Sequence, residues 1–359
     1  MSRKIGILTS GGDCAGLNAA IRAVVRRAML GHGWEVWGIA SATDGLQRRP
    51  VAAGRLELYD VDGQMARVAG SILGSNSHGV RGDMREAFQQ MAEGYRMLGL
   101  DALIAVGGDG SFAFLRKLAQ SAGINLVGIP KTIDNDIGLT ENAIGYDTAV
   151  MVATEALDRL QPTAASHDRI MVLEVMGRDA GHIALAAGIA GMADVILIPE
   201  IGYDLKNVAA HIQKQRQAGK NFSLVIVSEA IRTMEGAKKR KAVADIGGQV
   251  GGSHTRYGGI GDYIAQELGM MTGGEARVTV LGHVQRGAAP THLDRMIGAA
   301  FGVAAVDLVA AHQYDKMVTW QNRQVVPVEI ADAIARYQAV DPNGTMVATA
   351  RGLGICLGD

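Results

Sequence analysis

Eight short apolar runs, at residues 5–8, 36–39, 103–106, 126–129, 170–175, 195–198, 224–227 and 278–281, each end at a loop instead of continuing into further apolar chain. Runs of that length, apolar at nearly every position, suit parallel strands buried on both faces. Helical patterns separate them. Ile21, Val24, Val25, Ala28 and Met29 recur at the spacing of one helix face while Arg22, Arg26 and Arg27 occupy the other, and residues 112–118 and 148–160 read as further helices. Strand then helix, repeated, predicts an α/β chain of two similar doubly wound, Rossmann-like domains with the active site in the cleft between them.

Length agrees with that reading. At 359 residues the chain fits about two domains of roughly 150 residues each, and 48% apolar residues suffice for sizeable cores. The expected division is 1–144 plus 285–335 for one domain and 145–284 plus 336–359 for the other, the tail from Thr319 onward packing on the latter. No Pro- or Ser-rich linker separates the halves, so they should pack closely. A formal net charge of −1 leaves no footprint for nucleic acid or an anionic membrane, so any anion must be caught by local sites. No apolar run reaches the roughly 18 residues of a membrane span, and residues 1–4 lead straight into a strand; the cytoplasm is the expected compartment. Cys14 and Cys356 make no disulfide framework, and Cys14 reads as a small spacer in a glycine loop.

In open α/β sheets ligands bind beyond the carboxyl ends of the strands. Here the unusual residues all follow a strand-like run: Gly11-Gly12-Asp13, Gly107-Gly108-Asp109-Gly110-Ser111, Pro130-Lys131-Thr132-Ile133-Asp134-Asn135-Asp136, Met176-Gly177-Arg178, Ser228-Glu229 and Gly282-His283-Val284-Gln285-Arg286. Phosphoryl transfer needs this kind of set, since it demands positioned phosphates and an acceptor hydroxyl relieved of its proton. The glycines at 107, 108 and 110 admit close backbone approach, and the helix that follows turns its positive end to an anion. Asp109 would hold Mg2+ through one carboxylate while phosphates supply other ligands. Asp134 and Asp136 flank Asn135; in an extended segment they face one way, and mutual repulsion would raise one pKa and ready Asp134 as a base. Arg169, Arg178, Arg277 and Arg286 offer forked donors for phosphate oxygens. Glu229 could accept a sugar hydroxyl, and His283 reads equally as a substrate donor or a satisfied structural histidine.

These motifs, with Thr9-Ser10-Gly11-Gly12-Asp13-Cys14-Ala15-Gly16-Leu17-Asn18 ahead of them and in this order over most of the chain, resemble the 6-phosphofructokinases. The resemblance implies transfer of the terminal phosphoryl group of ATP to the 1-hydroxyl of fructose 6-phosphate, a step of glycolysis. It implies Asp134 as base, with Thr132 and Arg178 beside it in the catalytic set, Asp109 as Mg2+ ligand, and Gly12, Gly108, Gly110 and Ser111 at the nucleotide phosphates. Thr132, Asp134, Asp136, Met176, Gly177, Arg178, Glu229, His283 and Arg286 would meet the sugar phosphate. Arg169 and Arg277 would reach it from a neighbouring subunit, which implies a homotetramer or homodimer.

Two positions bear on the donor. Gly110 resembles ATP users, since pyrophosphate users usually carry Asp there, whereas Lys131 resembles pyrophosphate users and a mixed subgroup that joins this lysine to a glycine and still uses ATP. Steric exclusion by a carboxylate is the stricter determinant, so ATP is the expected donor and pyrophosphate the alternative. Where related bacterial enzymes follow Leu-Gly-Ser with a phosphate-binding arginine, this chain has Leu73-Gly74-Ser75-Asn76-Ser77-His78, and Arg81 is the expected substitute at ATP. Arg22 and Arg26 match effector-site arginines, yet Gln161 replaces another. Residues 232–261, with Lys238-Lys239-Arg240-Lys241, resemble an inserted surface loop. A non-catalytic regulatory relative would be expected to lose Asp109, Asp134 or Arg178, and all three are present; NAD and lipid kinases share the Gly-Gly-Asp-Gly loop without its partner motifs.

Overall fold

Each of the eight apolar runs forms a strand in the computed structural model, which describes residues 2–76, 82–232 and 259–359. Arg81, His78 and the basic run at 238–241 lie outside the described residues, as does most of the stretch 232–261. The first sheet holds seven strands: β1 (Lys4–Thr9), β2 (Glu35–Ile39), β3 (Ala53–Leu56), β4 (Ala102–Gly107), β5 (Leu126–Pro130), β10 (Lys316–Gln321) and β11 (Gln324–Glu329). Its order is β11-β10-β5-β4-β1-β2-β3, parallel throughout except that β3 and β11 run antiparallel to their neighbours. The second sheet is wholly parallel, from β6 (Ile170–Val175), β7 (Val195–Leu197), β8 (Ser223–Ser228) and β9 (Ala276–Val280), in the order β7-β8-β6-β9.

Burial explains the run composition. Every residue of β4, β5, β6, β7 and β8 is buried, because helices cover both faces of each sheet. Gly128 within β5 lets Phe112 of the helix Asp109–Ala122 lie directly on the strand; a Cβ there would stand 2.7 Å from Phe112 Cε1. Phe112 is fully buried, and truncating such a ring to alanine costs about 3–5 kcal/mol. The helix His292–Ala310 returns to the first sheet after β9 and packs against Leu17–Arg26, with Gly302 so close that a Cβ would stand 2.6 Å from that of Ala23. One buried cluster runs from Ile7 and Val106 through Ala149 and Leu157 to Leu173 and Ile196, so the two sheets share a continuous core.

The tail departs from expectation. Residues 316–329 form a hairpin that extends the first sheet, and only the later part reaches the second, where Cys356 pairs with Val195. The hairpin turns through Asn322 and Arg323, both left-handed at φ 50° and 62°, a geometry usually announced by glycine. Between them the tail forms a strap. Tyr337 pairs with Ile137, the Gln338 amide donates to the Asp136 carbonyl at 2.9 Å, the Gln338 carbonyl lies 2.9 Å from His182 Nε2, and the Val340 amide donates to Glu200 at 3.0 Å. These bonds join the loop after β5 to the loops after β6 and β7.

Candidate active site

The first sheet changes winding direction between β1 and β4, with β2 on one side and β5 on the other, and a crevice opens there at the carboxyl ends. Gly11 follows β1 and Gly108 follows β4. Gly108 begins the helix Asp109–Ala122 with no side-chain cap, leaving the amides of its first turn to face an incoming anion. Gly11 has φ +86°, and a Cβ on it would lie 3.0 Å from both Lys131 Nζ and Ser111 Oγ. By contrast, a Cβ on Gly110 meets nothing within 4 Å. Lys131 is only 4% exposed, burial pushes its pKa down, and its Nζ donates to the Gly12 carbonyl at 2.5 Å. The lysine therefore braces the first glycine loop in this state.

The loop after β5 is a turn and not the extended segment expected. Asn135 is left-handed at φ 54°, donates from Nδ2 to the Glu141 carbonyl at 2.9 Å and accepts from the Ala143 amide at 3.0 Å. Asparagine tolerates this conformation because its short amide bonds nearby backbone. Asp134 and Asp136 are nearly buried, at 9% and 4% exposure. Thr132 Oγ1 accepts from the Asp134 amide at 3.1 Å and lies 3.4 Å from Asp136 Oδ1. Burial is the chief cause that raises both carboxyl pKa values, ahead of like-charge repulsion. For Asp134 the repelling neighbour is Glu229, with Arg286, Arg178 and Lys131 pulling the other way; for Asp136 it is Asp134 and then Asp109. Repulsion between the two aspartates, expected from their spacing, thus bears on Asp136 and ranks below burial.

Across the crevice, the loops after β6, β8 and β9 interlock. Glu229 Oε1 accepts from the amides of Gly177 at 3.3 Å and Arg178 at 3.0 Å, while Gln285 Oε1 accepts from the Met176 amide at 2.8 Å. Gly177 and Arg178 stand at φ +151° and +51°, so the turn needs these outside acceptors to hold an arginine in left-handed backbone. Arg178 Nη1 reaches Asp109 Oδ1 at 3.3 Å, and Arg286 Nη1 donates to the Asp13 carbonyl at 2.6 Å. Met176 is half-buried and His283 exposed on its short turn.

The structure thus brings Gly12, Gly108, Asp109, Ser111, Lys131, Thr132, Asp134, Asp136, Gly177, Arg178, Glu229 and Arg286 to one crevice. Two expected residues lie elsewhere on the chain. Arg169 precedes β6 and Arg277 is the second residue of β9, at the amino ends of strands whose carboxyl ends form the crevice, and both pair with Glu275. Arg22 and Arg26 both pair with Asp62, at 3.2 and 2.9 Å. Cys14 is fully buried, its Sγ 3.3 Å from the Ile144 carbonyl, and burial pushes its thiol up to about 12, as suits a spacer. Sequence reasoning missed Asp294, whose buried carboxylate accepts from the Gly145 and Thr148 amides at 2.8 and 2.9 Å and so starts the helix Tyr146–Ser166; the acid three residues after Thr291 marks only the start of its own helix.

No group of three or more His, Cys, Asp or Glu side chains among the described residues is arranged to hold a metal ion unaided. Asp109 alone, in the crevice beside the uncapped helix end, fits an ion such as Mg2+ that keeps waters and takes substrate phosphates as ligands. Among the described residues no helix is long and apolar enough to cross a membrane.

Known proteins resemble this chain throughout. The family described as phosphofructokinase matches residues 4–309. An ATP-dependent 6-phosphofructokinase 1 from Nostoc sp. is 57% identical, the match covering 100% of this chain and 99% of that one, and its namesake from Synechocystis sp. is 56% identical over 99% of each. Among solved structures, phosphofructokinase from Saccharomyces cerevisiae superposes with a TM-score of 0.81 at 26% identity, covering 98% of this chain, which spans 46% of that one. A pyrophosphate-dependent phosphofructokinase from Marinobacter aquaeolei gives 0.79 at 19% identity, covering 99% of this chain and 92% of that one, a likeness of fold alone.

Proposed function

The chain belongs to the phosphofructokinase family, and from that premise we propose that it transfers the terminal phosphoryl group of ATP to the 1-hydroxyl of fructose 6-phosphate, giving fructose 1,6-bisphosphate as a step of glycolysis in the cytoplasm. One observation carries this reading. Asp134, nearly buried and raised in pKa, lies within the field of Arg178, Arg286 and Lys131 where the glycine loops meet the Met176–Arg178 turn. Its relatives at 57% and 56% identity bear ATP-dependent names, which supports the same donor.

Residues 1–144 plus 285–335 form the donor domain in this assignment, and 145–284 plus 336–359 the acceptor domain. Backbone amides of Gly12, Gly108, Gly110 and Ser111 hold the nucleotide phosphates; Arg81, outside the described residues, is assigned to ATP on the family resemblance alone. Asp109 holds Mg2+, which when bound neutralises charge on the donor phosphates. Met176, Gly177, Arg178, Glu229, His283 and Arg286 orient the sugar phosphate, joined by Arg169 and Arg277 of a neighbouring copy in a homotetramer or homodimer. Arg277 is suited to that role, its side chain 59% exposed in a groove with Met270 on the open edge at β9. As the acceptor oxygen bonds to the terminal phosphorus, its proton passes to Asp134, held by Thr132; the bond from that phosphorus to the bridging oxygen breaks and ADP leaves. Arg178 balances charge on the moving group.

Gly110 supports ATP over pyrophosphate, because the open space at its Cβ position leaves room for the rest of a nucleotide. Lys131, committed to the Gly12 carbonyl, weighs less for pyrophosphate than its side-chain type alone would. A coupled assay offering ATP, ADP and pyrophosphate with one acceptor tests the reading: ATP should support the highest kcat/KM, and a higher value with pyrophosphate would replace it by the pyrophosphate-dependent reaction.

A further inference from the structure

We infer that Gln285 is a positioning residue for the acceptor side of the crevice, fixing the Met176–Arg178 turn through the Met176 amide; the inference rests on the phosphoryl-transfer reading above. Gln285 is fully buried although it sits in a five-residue turn, Gly282–Arg286, whose neighbours His283 and Val284 are exposed. Its Oε1 accepts from the Met176 amide at 2.8 Å, but its Nε2 is buried with no hydrogen-bond partner among the described residues. An unmet buried donor costs free energy that an apolar side chain of equal length would not incur. Stability therefore disfavours glutamine at this position, and what the side chain supplies in return is one acceptor at the start of the turn.

That acceptor completes a series. Gln285 takes the amide of residue 176, and Glu229 takes those of 177 and 178, so three consecutive backbone donors are drawn toward the ends of β8 and β9. With its amides held there, Arg178 stays in left-handed backbone and sends its guanidinium to Asp109. The next residue, Arg286, reaches the Asp13 carbonyl in the opposite wall. Adjacent side chains of one turn thus hold the acceptor turn and the donor loop, and losing the first should disturb sugar binding without disturbing nucleotide binding.

The test compares Gln285→Met, which keeps length and loses the oxygen, with Gln285→Glu, which keeps an oxygen for the amide. In the full-length enzyme, Gln285→Met should raise KM for fructose 6-phosphate about tenfold while KM for ATP stays within about twofold, and Gln285→Glu should hold the sugar KM within about threefold of the parent. An unchanged sugar KM in Gln285→Met, or equal rises for both substrates, would overturn the assignment. Should Gln285→Met not fold, Gln285→Glu decides alone, a tenfold rise in its sugar KM counting against the assignment. Failure of the parent enzyme to phosphorylate the sugar would instead sink the functional reading itself.

Discussion

Arg178 Nη1 and Asp109 Oδ1 meet at 3.3 Å over the crevice, joining a residue just beyond β6 in the second sheet to one just beyond β4 in the first. Both side chains are nearly half exposed, so solvent screens the pair and it contributes only about 0–1 kcal/mol to folding. Its partners should matter to turnover far more than to stability. Arg178→Ala and Asp109→Ala are expected to shift Tm by no more than about 3 °C while lowering kcat at least about 100-fold. Thermal melts beside steady-state rates check this, and a large Tm loss with normal turnover would make the pair a structural clasp.

Asp134 should show the opposite balance. Its folded pKa lies above the ordinary carboxylate value of about 4, so the folded chain keeps the proton longer than the unfolded one, and the buried charge erodes stability as pH rises through that window. Asp134→Asn removes the charge at constant shape. It should lower kcat by about 10^2 to 10^4 yet raise Tm, by more at pH 8 than at pH 4.5. A destabilised variant at pH 8 would contradict the burial argument.

The same shift sets a pH profile. Protonated Asp134 cannot take a proton, so kcat of the parent enzyme should fall as pH drops, with a midpoint above the value of about 4 for a solvated aspartate. Rates measured in saturating substrates from pH 4 to 8 check this, and a profile that stays flat down to pH 4.5 would contradict the burial argument.

Gly110→Asp probes the donor. The added side chain enters open space at the start of a helix, where an acid is favourable, so the variant should fold normally. Its kcat/KM with ATP should drop at least tenfold more than with pyrophosphate, on the order of the cost of crowding like charges. Parallel loss with both donors would remove Gly110 as the discriminator.

Arg169→Ala and Arg277→Ala test the shared site. Each loses its pairing with Glu275, whose half-exposed carboxylate is screened by solvent, so the monomer fold should survive. Sugar KM should rise about tenfold or more in both, the size expected for a lost charged hydrogen bond to phosphate. Unchanged KM in an assembled enzyme would take both arginines out of the site.

Where the sequence was legible, backbone requirements and burial coincided. Continuous apolar runs marked eight of the nine parallel strands, most of them buried on two faces so that no polar alternation is left, and the loops after them marked the crevice because glycine and acid have few other uses at strand ends. The hairpin at β10 and β11 escaped because Asn322 and Arg323 adopt left-handed backbone without glycine, and β11 is half exposed. Gln285 and Asp294 escaped for another reason: each acts on amides more than a hundred residues away, at Met176 and Gly145, and local spacing carries no trace of a partner so distant. The shape of the Asp134-Asn135-Asp136 segment turned on Asn135, whose two side-chain bonds to Glu141 and Ala143 bend a stretch that spacing alone reads as straight.

The strap at 336–340 has a consequence for how the enzyme comes into being. All eleven strands of the described residues precede it in the chain, so a growing chain can complete both sheets while the carbonyl of Asp136 still awaits the amide of Gln338. The loop that carries Asp134 and Asp136 therefore gains its tie to the loops after β6 and β7 only from chain made after every one of those strands.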